Sequence, residues 1–186
     1  MTEAQSLAGR LLLAMPGMPD ARFDGAVIAM CIHDDQGALG VGVTDVLDRV
    51  TLFHLLDDLD IPRGVAPDCD VHYGGPVEPQ RGFVLHSPDW TSEGTLEVSP
   101  QWSLTGSRDI LVAIAQGTGP RHWLVALGYA GWGPAQLDGE MRSHGWYAAD
   151  GRAPILFNTA YTNRWQAAWR AEGIDPSHLT NVTGRA

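Results

Sequence analysis

The sequence predicts an α+β fold in a single compact domain, with a mixed β-sheet covered by helices. Three observations carry this expectation. The chain has 186 residues, of which 44% are apolar and 18% charged, an ordinary globular balance able to bury a core of its own. Short strand-like runs and amphipathic helical runs are interspersed, without the strict alternation of a doubly wound sheet. Two of the strand-like runs flank a tight turn and so read as an antiparallel hairpin. No repeat, linker or low-complexity segment divides the chain, so residues 1–186 read as one unit, ending in a polar, mobile tail from about 175 to 186.

Taken in order, "RLLLAM" is a first strand, closed by the loop "PGMP". Residues 26–33 and 38–44 are the hairpin strands around "DDQG", in which Asp34 and Asp35 form the turn rather than an acid and base pair. Leu52, Leu55, Leu56 and Leu59 stand at helical spacing, with Thr51 as cap and Val50 as staple. Asp57, Asp58 and Asp60 crowd the end of that helix against its dipole, a cost that an arginine such as Arg63 relieves. Residues 71–73 and 82–86 are strands around a Gly74, Gly75, Pro76 corner. "TLEVSPQWSLTG" holds two short extended pieces, and "SRDILVAIAQGTG" a helix with Ser107 as N-cap and Gly117 just past its end. Residues 122–127 form a buried strand that turns through Gly128, Gly131 and Gly133 into a helix over 134–142, with Pro134 at its first position. A strand near Trp146, another at "PILFN" and a helix over 163–172 stopped by Gly173 complete the chain. Trp165 and Trp169 share one face of that last helix, as core packing or as an aromatic patch for a partner.

Charge and composition narrow the function. A formal net charge of -10 repels nucleic-acid phosphates and anionic membranes, so direct nucleic-acid binding is disfavoured. All 12 basic residues are arginines, which excludes Schiff-base, pyridoxal phosphate, Walker and kinase-type lysine chemistry. Cys31 and Cys69 are too few for a disulfide framework, and neither an export signal nor an apolar run of roughly 20 residues is found. These features point to a soluble, cytoplasmic bacterial protein without a cofactor. The G-x-S-x-G, H-E-x-x-H, P-loop and EF-hand patterns are missing. In "HSPDW", His86 and Ser87 are neighbours on a strand and point to opposite faces, so His86 does not serve Ser87 as a base.

Three constellations could carry chemistry. The first is Gly128, Gly131 and Gly133, where a helix start could hold an anion or the fold could simply need a corner. Asp150, 22 positions after Gly128, suits a dinucleotide site, but the order Gly-x-x-Gly-x-Gly and the bulk of Tyr129 and Trp132 oppose it. The second is Gly74 and Gly75 with Arg81, whose guanidinium could fork onto a carboxylate or phosphate, or pair with an acidic side chain. The third is Cys31, His33, Cys69 and His72, a zinc or redox set, or else two buried thiols and two hydrogen-bonded histidines.

The stretches "GAVIAMCIHDDQGALGVGV", "VHYGGPVEPQRGFVLHS", "LVALGYAGWGPAQLDGEM" and "ILFNTAYTNRWQAAWRAEGID" together resemble the bacterial YqgE/AlgH family, in the same order and across nearly the whole chain. The resemblance implies a branched mixed sheet surrounded by short helices. It implies no particular reaction or active site. Family members are commonly labelled transcriptional regulators, after a link between AlgH and alginate production. Members often carry Asn followed by Arg and Pro after the second hairpin strand, where this chain has "VTDVLDR", so a site built on that motif does not carry over. The sequence also lacks a helix-turn-helix with a basic recognition helix.

The expectation is therefore a non-catalytic module that binds a small anion or a partner protein and regulates indirectly, through Gly74, Gly75, Arg81, Gly128, Gly131 and Gly133. The alternatives are direct transcriptional regulation, as the family label suggests, and a redox or zinc role for Cys31 and Cys69.

Overall fold

The computed structural model describes residues 5–18, 23–143 and 145–180. The first half contains β1 (Leu11–Ala14), β2 (Val27–Asp34), β3 (Gly37–Gly42), β4 (Val46–Thr51), α1 (Leu52–Asp58), β5 (Asp70–Tyr73) and β6 (Val77–His86). The second contains β7 (Thr95–Glu97), β8 (Ser103–Thr105), α2 (Arg108–Gln116), β9 (Trp123–Trp132), α3 (Gln136–Arg142), β10 (Trp146–Ala149), α4 (Ala153–Phe157), α5 (Arg164–Ala171) and α6 (Ser177–Thr180).

The strands form one sheet in the order β10-β1-β2-β3-β9-β6-β8-β7, with β4 and β5 branching from β9. Only β5 runs parallel to β9, and the other pairings are antiparallel, so the sheet is mixed. One edge of β9 meets β6. Along its other edge, Ala126 and Leu127 pair with β5, and Ala130, Gly131 and Trp132 then pair with β3. β9 thus changes partner at Gly128, and the sheet divides there.

Helices cover both faces, which is why β1 reads as an unbroken apolar run rather than an alternating one. Leu11 and Leu13 pack with Trp102 and Trp169 on one side, while Leu12 and Ala14 pack with Met30, Leu137 and Trp146 on the other. A further cluster joins Leu52 and Leu56 of α1 and Ile110 and Ile114 of α2 to Val71 and Val125 of the sheet. Trp169 is fully buried and the Trp165 indole donates to the Ala14 carbonyl at 2.9 Å, so both belong to the core. Local chemistry behaves as the sequence suggests at several points. Asp34 accepts from the Gln36 backbone in the hairpin turn, Gly117 ends α2 in the left-handed conformation, and Arg63 forks onto Asp57 at 2.7 and 3.1 Å.

Four features differ from expectation. The glycine run is not a corner into a helix, because β9 continues through Gly128 and Gly131 to Trp132. Pro134 is not the first helical residue: Ala135, at φ 60°, stands before α3 as its cap, and the helix begins at Gln136. "PILFN" is helical rather than extended, since Pro154 suits the first turn of α4 and the run buries Ile155 and Leu156. β4 was hidden in the sequence because its exposed Asp48 and Arg49 break the apolar alternation and Arg49 takes a positive φ of 61°. In the stretch expected to be a tail, residues 177–180 form the turn α6, and residues 181–186 lie outside the described residues.

Candidate functional site

The two glycine corners meet, and they fill each other's space. Gly74 N–H donates to the Leu127 carbonyl at 2.9 Å, and the Gly74 carbonyl accepts from Gly42 N–H at 2.8 Å. A Cβ on Gly74 would lie 2.2 Å from the Gly128 oxygen, one on Gly75 2.2 Å from the Tyr129 carbonyl carbon, and one on Gly128 2.4 Å from the Gly75 oxygen. Gly128 also needs its φ of +75°, a conformation in which a side chain is strained. Gly74, Gly75 and Gly128 are therefore the joint at which the sheet branches, backbone laid directly on backbone.

The remaining expected residues lie around that joint. Gly131 lines an open groove of about 420 Å³ with Ile32, Leu39, Val77, Tyr129 and Trp132. Gly133 gives its N–H to the Gln136 side chain at 2.9 Å, so that donor is occupied. Arg81 sits where residues 78–81 loop out of the β6–β9 register. It pairs with Glu78 at 3.3 Å and lies 5.1 Å over the Phe83 ring, half exposed. Its guanidinium already has a carboxylate partner, the simpler of the two arrangements open to it.

The four cysteine and histidine residues do not converge. Among the described residues, no three His, Cys, Asp or Glu side chains are grouped so that they could hold a metal ion. Cys31 lies in the core with its thiol directed to the Ala29 carbonyl, and burial pushes its pKa up to about 12. Cys69 is half buried, and desolvation, followed by the charges of Asp68 and Asp70, pushes its pKa up to about 11. Neither thiol is activated for redox chemistry at neutral pH. His33 accepts from Leu7 N–H at 2.9 Å and faces Asp138 at 3.3 Å. Ser87, as expected, is not served by His86, whose Nε2 meets Thr105 at 2.8 Å instead.

His72 belongs to an arrangement that the sequence did not reveal. It pairs with Arg164, at the start of α5, and both are more than nine-tenths buried. Arg164 Nη1 donates to the Val43 carbonyl and to His72 Nε2, each at 2.7 Å, and Nη2 donates to the Leu156 carbonyl at 2.7 Å. Nε is buried without a partner. Because His72 Nε2 accepts, the ring proton sits on Nδ1 and is given to the Val125 carbonyl at 3.1 Å. Burial, followed by the adjacent guanidinium, lowers the His72 pKa to about 4, so the ring is neutral at physiological pH.

Arg164 has no carboxylate partner among the described residues. Burial lowers its pKa to about 10, which still leaves it charged at neutral pH. The helix dipole opposes a cation at this end of α5, so position and burial both work against the charge. Beside it is a pocket of about 230 Å³ lined by Cys69, His72, Trp123, Phe157, Tyr161 and Arg164. The Tyr161 ring meets the His72 ring edge to face, with centroids 6.3 Å apart. The one clue in the sequence was a basic residue in the first turn of a helix whose other end carries Glu172.

Comparison with known proteins finds relatives along nearly the whole chain. The AlgH-like family profile matches residues 11–177. A UPF0301 protein of Novosphingobium aromaticivorans is 60% identical over 186 residues, covering 100% of both chains. Another, from Rhizorhabdus wittichii, is 56% identical with the same full coverage. The solution structure of the AlgH protein from Pseudomonas aeruginosa is 35% identical, covers 100% of both chains and superposes with a TM-score of 0.78. Protein DIP2367 from Corynebacterium diphtheriae shares the fold at 18% identity, with a TM-score of 0.76 over 96% of this chain and 94% of that one.

Proposed function

The chain belongs to the AlgH-like family, and on that premise we propose that it is a non-catalytic module that binds a small anion beside Arg164 and regulates indirectly. The observation that carries this reading is a buried guanidinium beside a pocket, with no carboxylate at ion-pair distance among the described residues, Asp70 being a more distant member of the same lining. Three acceptors hold the side chain in place, so the charge is fixed and preorganised. An anion in the pocket would offset the desolvation that Arg164 bears.

This reading moves the site away from the expected glycines. Gly74, Gly75 and Gly128 serve the branch of the sheet, and Arg81 serves Glu78. Regulation through a ligand rather than through DNA accords with the net charge of -10. A partner-protein reading has separate support in the groove at Gly131, where Ile32 is 38% exposed.

Thermal unfolding in acetate, phosphate, sulfate and chloride at matched ionic strength tests the anion reading. At least one oxyanion is expected to raise the wild-type Tm saturably above chloride, and to lose that effect in Arg164→Gln. If Arg164→Gln does not fold, Ala160→Glu places a negative charge at the exposed mouth of the same pocket. Equal responses to all four salts, or responses unchanged in the foldable variant, would overturn the proposal.

A further inference from the structure

We infer that a second pocket, between α1 and α2, takes a small uncharged aromatic molecule whose ring lies on the backbone of Gly82. This site shares only Val125 with the lining of the Arg164 pocket and stands apart from the anion reading.

The two helices cover one face of the sheet, where Leu52, Leu56, Ile110 and Ile114 pack with Val71, Val84 and Val125. Between the end of α1 and the start of α2 that cover parts. The gap is a pocket of about 330 Å³, with Gly82, Val84, Val125 and Leu127 in its sheet floor and Leu59 and Leu111 on its helical walls. Phe83 packs on the opposite face, so Gly82 and Val84, either side of it on β6, both present the pocket face. Gly82 pairs across the strands with Leu127, and Val84 with Val125. Gly82 is thus the one member of this floor without a side chain.

Neither backbone nor packing requires a glycine there. The bulge over residues 78–81 ends before it, and its φ is not positive. Its chain neighbours aside, a Cβ would meet only Leu127 Cδ2, at an ordinary contact distance of 3.7 Å. A glycine inside a strand weakens it, and where no bend or clash calls for one it marks a close approach by another group. Gly106, the residue after β8, shows how this sheet covers a bare glycine: a Cβ there would lie 3.5 and 3.6 Å from two atoms of the Phe83 ring. A flat ring over a glycine fills the space that a side chain would take. At Gly82 the chain supplies no such ring within 4 Å, among the described residues.

The lining selects an uncharged ligand. Its formal charges are Asp58 and Arg108, opposite in sign and both exposed. Its polar groups are already engaged. Arg108 Nη2 donates to the Leu59 carbonyl at 3.0 Å, the Ser107 hydroxyl donates to Asp109, and Thr105 Oγ1 lies 2.8 Å from both His86 Nε2 and Thr95 Oγ1. None of the buried polar atoms left without a partner belongs to this lining. An ion would shed water here and find no counter-charge, whereas hydrocarbon gains by leaving water. An apolar cavity of about 150 Å³ is enough for benzene, so about 330 Å³ accommodates a ring with a short substituent.

The test is a set of NMR titrations of the full chain, labelled at glycine amides and leucine and valine methyls, at pH 7 and constant ionic strength. Benzyl alcohol is expected to shift the Gly82 amide and the Leu127 methyls saturably through its ring current. It should bind at least about tenfold more tightly than benzoate or benzylammonium, and phenethyl alcohol, one methylene longer, about fourfold more tightly still. Cyclohexylmethanol, more hydrophobic but not flat, should bind more weakly than benzyl alcohol. Gly82→Leu fills the pocket from its floor and is expected to weaken benzyl alcohol at least about tenfold while raising Tm. If that variant does not fold, Leu59→Glu, at a position 43% exposed, sets a charge at the mouth and should weaken binding to a similar extent. Cyclohexylmethanol binding as tightly as benzyl alcohol would overturn the aromatic assignment, and either ion binding as tightly would overturn the uncharged one. No saturable shift at Gly82 and Leu127, or undiminished binding in the foldable variant, would overturn the site.

Discussion

Lowering the pH from 8 to 5 tests the protonation state on which the Arg164 pocket depends. His72 has a folded pKa of about 4, against roughly 6.5 in an unfolded chain. Because the folded value is the lower one, its contribution to stability is complete above about pH 6.5 and is lost as the pH falls toward about 4. Linkage across that difference gives a loss of about 2 kcal/mol at pH 5, rising to about 3 kcal/mol below pH 4. His86 is also held low by burial and adds to the same trend, so the wild-type slope alone does not isolate His72. The comparison needed is with His72→Gln, whose amide oxygen can still accept from Arg164 but does not titrate. Urea unfolding of both proteins in chloride at pH 8, 6.5 and 5 would show the wild type losing about 2 kcal/mol more than the variant by pH 5. The variant itself should start about 1 kcal/mol lower at pH 8, for the lost bond to Val125. Parallel pH dependences would refute the neutral, accepting imidazole and, with it, Arg164 as the one positive charge in the pocket lining.

Other positions give sharp contrasts. Gly75→Ala would drive a Cβ to 2.2 Å from backbone at the branch and should cost more than about 3 kcal/mol, lowering Tm by roughly 6 °C or more. In Gly131→Ala the nearest atoms lie at 3.4 Å, so the cost should stay within about 1 kcal/mol by the same calorimetry. Arg81→Ala removes a half-exposed ion pair and should change stability by less than about 1 kcal/mol, with the anion response intact. Both thiols should alkylate slowly at pH 8, Cys69 at least about a hundredfold slower than a free cysteine, as timed with iodoacetamide and mass spectrometry.

What could be read from the sequence was what is local in the chain. The hairpin, α1, α2 and α5 carry their own apolar spacing and their own ends, such as Gly117 and Gly173, and need no distant partner to be recognised. The glycine run was misleading because its meaning is tertiary. Gly128 is required by Gly75, which comes from the β5–β6 connection, and nothing in "GYAGWGP" by itself separates a branch in a sheet from a turn into a helix. "PILFN" has the composition of a strand, and its first-turn proline competes with that signal. The site was harder still. His72 was visible only as one member of a zinc set, and Arg164 looked like any helix arginine. Their burial, their mutual hydrogen bond and the absence of a balancing carboxylate among the described residues arise from packing between distant parts of the chain.

The most direct measurement is a titration of acetate, phosphate and sulfate into ¹⁵N-labelled protein, against chloride at matched ionic strength, followed at the Arg164 guanidinium N–H groups and the His72 ring. Both sets of signals should move together and saturably with at least one oxyanion, do so equally in Arg81→Ala, and lose the response in Ala160→Glu. Arg164 signals that stay fixed with every oxyanion, or move only as they do in chloride, would contradict the anion site.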